Sequence, residues 1–401
     1  MEKQVTTQKE RLYYIDWLRI ILIVSVFLFH IGMVFNSWDW HIKNEVTFAH
    51  KSTLWYIMEY LGQWRMPLLV LVSGAGTFLA LGTRSVKQYL SERFKRLFIP
   101  LTAGIFVLVP VQVYLERAGQ YSSLMDYYPH MFDGIYPVGN FSWHHLWFIA
   151  YLFFIALVVS PFLKYMRSSR FKNRIESITP LIAKRFGANI FLVPIVISQL
   201  ILRPYFPDNT HDLINDWAAM AYYILYFLSG YIIVSNARLM ESIEQQRRIY
   251  LVESILAAVI MFVIPYQMGS EALGRLVWRL ASCTLAWTCG LAALGYARRY
   301  LNYNTPFRKI ANEAIYPFYL IHQPVIVLFA YYIVSWDIAL IWKAIAITVL
   351  SFSSTIILYW CVVRPFNLMR ILFGMKPKSK APSFELSNRE LKLKAQKVRG
   401  L

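Results

Sequence analysis

Long runs of apolar residues recur along the whole chain, separated by short polar segments. Each run is long enough, or nearly so, to cross the hydrocarbon core of a bilayer, which is about 30 Å thick. The pattern therefore predicts an all-α, polytopic membrane protein with about ten transmembrane helices. These lie near residues 20–34, 55–81, 98–115, 146–162, 190–202, 217–235, 250–265, 277–296, 315–334 and 338–362. The fifth run is short for a membrane span.

The composition supports this interpretation. Of the 401 residues, 57% are apolar and only 16% are charged, and the mean hydropathy is +0.43. A soluble domain of this length cannot bury so much apolar surface. The pattern contains no internal repeat, Gly/Ser linker or soluble insert. Residues 1–375 are therefore predicted to form one transmembrane domain, followed by a basic cytoplasmic tail at 376–401.

The basic residues are distributed unevenly among the loops. If the N-terminus is cytoplasmic, 32 of the 41 Lys and Arg residues fall in predicted cytoplasmic segments and only 5 fall in outside loops. Basic residues accumulate on the cytoplasmic side of membrane proteins, so both termini are predicted to be cytoplasmic. The excess of positive charge is thus explained by topology and by contact of the tail with membrane lipid. No nucleic-acid partner is expected.

Three ionisable residues share one face of the first predicted helix. At about 100° per residue, Arg19 projects within about 20° of His30, and Asp16 lies about 40° from His30 on the other side. A rise of about 1.5 Å per residue puts Arg19 at the cytosolic mouth and His30 roughly 16 Å further along. Ionisable groups inside a span are costly and usually functional, although a boundary ion pair and a packing histidine would also produce this pattern.

A neutral imidazole can accept the proton of a hydroxyl that attacks a thioester. His30, Arg19 and Asp16 are therefore candidate catalytic residues, and His30 could act as a general base or as a transient acyl carrier. Arg93 and Arg96 lie on one face at the cytosolic start of the third helix, where guanidinium groups could bind donor phosphates. His322, about two turns into the ninth helix, is a candidate for lining the donor tunnel. Alternatively, Arg93 and Arg96 are only the basic residues expected at a cytosolic helix end, and His322 is a hydrogen-bonded packing residue.

Other polar groups in the spans have weaker functional signals. Glu59 and Arg65 in the second helix could form an ion pair that holds an acceptor or only stabilises the fold. Residues 73–76, Ser-Gly-Ala-Gly, favour close helix packing. His144 and His145 lie at the outer interface, where such residues are usually anchors.

Several of these motifs resemble the membrane-bound acyltransferase family 3. That family has an Arg, ten residues and a His in its first span, Ser-Gly in its second, Arg-x-x-Arg before its third and Tyr-Leu-x-His near its penultimate span. The corresponding residues here are Arg19 with His30, Ser73-Gly74, Arg93 with Arg96, and Tyr319-Leu320-Ile321-His322. Their order and spacing hold across nearly the whole chain.

The resemblance implies a multi-pass protein of the bacterial inner membrane that transfers acyl groups other than amino-acyl groups. It implies that His30 is catalytic, that Arg19 is its partner, and that Arg93 and Arg96 handle the donor. The donor would be acyl-CoA, either acetyl-CoA or succinyl-CoA. The acceptor would be an extracytoplasmic glycan, because stretches such as His145-Leu146-Trp147-Phe148 are similar to family members that modify periplasmic glucans. No metal is expected, and the sequence makes no prediction of oligomeric state.

Two other functions fit an intramembrane Arg and His. One is a secondary transporter that uses Arg19 and His30 as a relay, although transporters typically have repeated halves with broken helices. The other is a structural partner of an envelope synthase, which would not explain the charged face of the first helix.

Overall fold

The computed structural model describes residues 12–207 and 210–378, so most of the predicted tail lies outside the described residues. The helices that follow the apolar runs are numbered α1 to α10. They are α1 Tyr13–Phe35, α2 Thr53–Leu81, α3 Val86–Glu116, α4 His144–Met166, α5 Gly187–Leu202, α6 Trp217–Ser235, α7 Arg247–Gln267, α8 Glu271–Tyr300, α9 Pro306–Ile333 and α10 Leu340–Val363. The described residues contain no strands, only two isolated bridges.

The protein is an all-α polytopic membrane protein, as the sequence predicted. Within the described ranges, nine helices are long and apolar enough to span a membrane, and α5 is the shorter tenth. Short helices at Ser169–Ile182, Ala237–Gln245 and Asn367–Leu372 connect or follow the long ones. The short fifth apolar run therefore forms a helix, but one below the length of the other nine.

Several helices extend beyond their apolar runs, and the extension of α9 changes the position of a predicted site residue. Thr305 caps this helix by accepting a hydrogen bond from the backbone N–H of Arg308, and Pro306 occupies the first helical position. The helix thus begins at Pro306 rather than near residue 315. His322 consequently lies roughly four turns into the helix instead of two.

Helix α9 forms the centre of the bundle. In the most apolar window of α9, 78% of the residues are buried, against 22% in α7 and in α10. The two outer helices instead expose apolar side chains such as Val252, Ile255 and Ile341, which suits contact with lipid. Groups on α9 are therefore shielded from both lipid and water.

Helices α2 and α6 cross at two glycines. A Cβ atom on Gly74 would lie 1.9 Å from the carbonyl oxygen of Phe227, and one on Gly230 would lie 2.0 Å from that of Leu71. The backbones approach so closely that only glycine fits at either position. The predicted packing role of the Ser-Gly-Ala-Gly segment is confirmed at Gly74.

Both described ends of the chain lie on the same face of the bundle. Arg370, after α10, forms a 3.1 Å ion pair with Glu313 near the start of α9, and Gly374 lies against Tyr316 and the carbonyl oxygen of Arg96. The start of α1 packs there too, because the backbone N–H of Tyr13 donates to Asn302. We call this end of the bundle the N-terminal face and the other end the far face.

Candidate active site

A polar contact inside the bundle joins His30 of α1 to His322 of α9. The Nδ1 atom of His30 lies 2.9 Å from Nε2 of His322, and the two rings stack at 5.0 Å with an 11° angle between their planes. His322 is completely buried. Phe27 and Phe318 pack against the His322 ring. The structure thus brings two of the predicted site residues together.

The hydrogen bonds determine which nitrogen of each ring carries a proton. The Nδ1 atom of His322 lies 2.6 Å from the carbonyl oxygen of Tyr319, which can only accept, so this nitrogen must be protonated. In a neutral ring, Nε2 of His322 then accepts from Nδ1–H of His30. The lone pair of His30 is therefore on Nε2, which has no hydrogen-bond partner among the described residues. His30 is therefore held in the tautomer whose Nε2 can accept a proton.

A third histidine, His145 at the start of α4, completes this inner cluster. Its ring lies 5.5 Å from that of His322. Its Nε2 donates to the carbonyl oxygen of Leu320 at 3.0 Å. That carbonyl is free because Pro324, four residues later, has no N–H to offer it. Tyr319 in turn donates its hydroxyl to the backbone oxygen of His145. The prediction that His145 is an anchor at the outer interface is therefore wrong, because the residue is buried in the core.

A second polar cluster lies next to the inner one, toward the far face. Nδ1 of His41 lies 2.5 Å from Oε2 of Glu116, whose other oxygen accepts from the Tyr136 hydroxyl at 3.1 Å. Gln323 contacts the other nitrogen of His41 at 3.1 Å, and the His144 ring lies 4.3 Å from that of His41. The cluster thus brings a carboxylate, two imidazoles and an amide together.

Three side chains of this second cluster, His41, Glu116 and His144, are the best candidates for holding a metal ion in the part of the chain that the structure describes. One ligand atom from each of His41, Glu116 and His144 lies within 4.8 Å of the others. Two imidazoles and a carboxylate form a common zinc ligand set. The hydrogen bonds of His41 to Glu116 and Gln323 satisfy that ring without a metal, whereas Nε2 of His144 is buried and has no hydrogen-bond partner among the described residues.

The three arginines predicted at the cytosolic side, Arg19, Arg93 and Arg96, lie at the N-terminal face. Arg19 is close enough to Arg93 and Arg96 to be repelled by both. Arg93 donates to the Thr77 hydroxyl at 3.0 Å, and its guanidinium lies 4.9 Å from the centre of the Tyr89 ring. Such a concentration of guanidinium groups is suited to bind phosphate oxygens. The three arginines, each predicted at the cytosolic side, therefore lie near one another.

Asp16 lies at the same end, well away from His30. Its carboxylate is bound by Arg308, a residue that the sequence analysis missed, and lies 4.0 Å from Arg19. Arg308 is almost fully buried, donates to Asn304 at 2.8 Å and covers the Tyr13 ring. In the sequence, Arg308 is a basic residue near a predicted cytosolic helix end, where basic residues are expected whether or not they have a function. Its pairing with Asp16 required the long-range packing of α1 on α9.

Two further expectations are changed by the structure. Glu59 and Arg65 do not pair: Glu59 accepts a hydrogen bond from Gln63 at 2.6 Å, while Arg65 lies over the Phe29 ring. They are six residues apart, which puts them on different faces of α2. His322 lies with His30 rather than with Arg93 and Arg96, because α9 starts further back than the apolar run suggested.

Similarity to known proteins identifies the family of this chain. The sequence profile of a family described as an acyltransferase domain matches residues 12–362. The chain belongs to the acyltransferase 3 family. It is an acyltransferase, and the match covers the Arg-x10-His helix, both arginines of Arg-x-x-Arg and His322. The family match therefore agrees with the motifs identified in the sequence.

The relatives in this acyltransferase 3 family include proteins named glucans biosynthesis protein C. The one from Escherichia coli K12 (DH10B) is 22% identical over 392 residues, covering 92% of this chain and 95% of the relative. The one from Escherichia coli O9:H4 (strain HS) is 21% identical over the same length and shares. No solved structure matches. At this identity the relatives support the family, and the substrates of this acyltransferase remain to be inferred from its own site.

Proposed function

We propose that this acyltransferase moves an acetyl or succinyl group from cytosolic acyl-CoA to a hydroxyl of an extracytoplasmic glycan, such as a periplasmic glucan. It does so in the bacterial inner membrane, with the N-terminal face in the cytoplasm. The observation that carries the proposal is the hydrogen-bonded pair of His30 and His322, which leaves the Nε2 lone pair of His30 available as a base. The relatives' name, which refers to glucans, supports the choice of acceptor.

The donor end of the proposed path is the arginine cluster. Acyl-CoA carries phosphates that need positive charge, and Arg19, Arg93 and Arg96 offer it with few competing carboxylates. Glu92 forms a 3.0 Å ion pair with Arg84, and Asp16 is held chiefly by Arg308. Because Arg19 and His30 share one face of α1, roughly 16 Å apart, a pantetheine arm anchored at the arginines would point toward the histidine.

The chemical step uses His30 as a general base. Its Nε2 takes the proton of the acceptor hydroxyl as the oxygen attacks the thioester carbonyl carbon. A carbon–oxygen bond forms, the carbon–sulfur bond breaks, and coenzyme A leaves as a thiolate that takes up the proton. The products are an O-acyl glycan and free coenzyme A. His322 accepts from Nδ1–H of His30 and so keeps the reactive nitrogen unprotonated.

The experiment that tests this proposal measures thiol release and acyl-glucan formation by the purified protein. Acetyl-CoA and succinyl-CoA are supplied in parallel with a glucan acceptor. We expect His30→Ala to bind donor but to transfer nothing, because the base is gone. His50→Ala, which removes an exposed histidine from an outside loop, is the control and should retain activity. Normal transfer by His30→Ala would disprove the catalytic role, and a labelled acyl group on His30 would show that it is an acyl carrier instead.

A further inference from the structure

Arg65, in the middle of α2, is a buried arginine that forms no ion pair with any residue the structure describes. Its side chain is 4% exposed. Its Nε and Nη1 atoms are buried and have no hydrogen-bond partner. The carbon at the centre of the guanidinium lies 3.6 Å from the centre of the Phe29 ring, which is its main contact. A cation–π contact offsets only part of the hydration that the guanidinium loses.

Two other arginines of the described residues, the buried Arg308 and the largely buried Arg203, have polar partners. Arg308 is paired with Asp16 and Asn304, and Arg203 forms a 3.2 Å ion pair with Asp216. An unpaired charge within a membrane protein is costly, and such residues usually mark a ligand or an ion path. The absence of a protein anion at Arg65 therefore indicates that its partner is an anionic group of a ligand.

The position of Arg65 indicates which ligand carries that anion. Phe29, which the guanidinium covers, is adjacent to His30 in α1. The charge of Arg65 is also close enough to act on the imidazoles of both His30 and His322. A molecule that reacts at His30 thus places its next few atoms within reach of Arg65. The arginine cluster that suits the donor phosphates lies at the N-terminal face, so those phosphates do not supply the missing anion.

We propose that Arg65 binds the distal carboxylate of a dicarboxylic acyl group, of the succinyl type, while its thioester carbonyl lies at His30. This inference rests on the proposed function and makes Arg65 the residue that selects the acyl group. Guanidinium donors match carboxylate oxygens well, and the match is strong where water is excluded. An acetyl group has no second carboxylate and leaves Arg65 unpaired.

Two four-carbon donors separate this selection from general donor binding. Succinyl-CoA and butyryl-CoA have acyl chains of the same length, but only the first ends in a carboxylate. Binding of each to the purified protein is measured by calorimetry without acceptor. We expect the wild type to bind succinyl-CoA at least about tenfold more tightly than butyryl-CoA, from a charge-assisted hydrogen bond in a dry site. In Arg65→Met the ratio should fall to about one, and Arg65→Lys should retain part of it.

The control and the thermal stability distinguish a binding role from a structural one. Arg275→Met removes an exposed arginine and should change neither affinity. Without ligand, Arg65→Met should have a Tm equal to or above that of the wild type, because it removes an unpaired buried charge. Equal affinities in the wild type, or a lower Tm with an unchanged ratio in Arg65→Met, would overturn the proposal. Failure of both acyl-CoAs to bind would instead overturn the proposed donor, and with it this inference.

Discussion

Replacing His322 by alanine tests how the reactive form of His30 is maintained. His322 accepts from Nδ1–H of His30 at 2.9 Å, and the carbonyl oxygen of Tyr319, 2.6 Å away, fixes the tautomer of His322. Without this acceptor, His30 can adopt the other tautomer and its ring can turn. Loss of tautomer control costs a serine protease about 10⁴-fold in kcat, and general-base catalysis contributes about 10²- to 10⁴-fold.

We therefore expect the rate of acyl transfer by His322→Ala to fall by about 10²- to 10⁴-fold, equal to about 3 to 5 kcal/mol of activation free energy. The assay is single-turnover transfer from saturating acyl-CoA, with the donor Kd measured separately. The Kd should not change, because His322 lies away from the arginine cluster. His322→Gln, whose amide oxygen can accept from His30, should recover part of the rate.

Two results would refute this reasoning. A transfer rate within about threefold of the wild type would mean that His30 needs no acceptor at Nδ1. A weaker donor Kd with an unchanged rate at saturation would mean that His322 lines the donor tunnel, as the sequence first indicated. Both outcomes are separated from misfolding by the Tm of the purified variant.

Three further predictions concern the fold. Gly74→Ala should lower the Tm strongly or prevent folding, since its new methyl would lie 1.9 Å from a backbone oxygen, whereas Gly62→Ala, with open space around it, should not. Asp16→Asn should lower the Tm because it leaves Arg308 buried and unpaired, and Arg308→Met in the same chain should restore it. Burial lowers the pKa of His211, between α5 and α6, to about 4, so the unfolded chain binds the extra proton between pH 6.5 and 4. The free energy of unfolding should therefore decrease as the pH is lowered from 6.5 to 4. The decrease should be smaller in His211→Gln, as measured by thermal unfolding.

The local pattern of the chain was sufficient to predict the fold class and most of the helices. Apolar runs must become helices in a bilayer because each backbone polar group needs an internal partner there. Helical periodicity placed Arg19 and His30 on one face, and a spacing of three placed Arg93 and Arg96 together. These conclusions depend on neighbours within one helix, which sequence spacing determines directly.

The contacts between helices were decided only by the tertiary structure. His30 and His322 are 292 positions apart, as are Asp16 and Arg308, and no local periodicity specifies which faces of α1 and α9 meet. The contact of Arg65 with Phe29 also joins two helices, although the failure of Arg65 to pair with Glu59 already follows from their six-residue spacing in α2. The tautomer of His30 depends on a carbonyl of α9 and a packing arrangement that assembles only when the whole bundle forms.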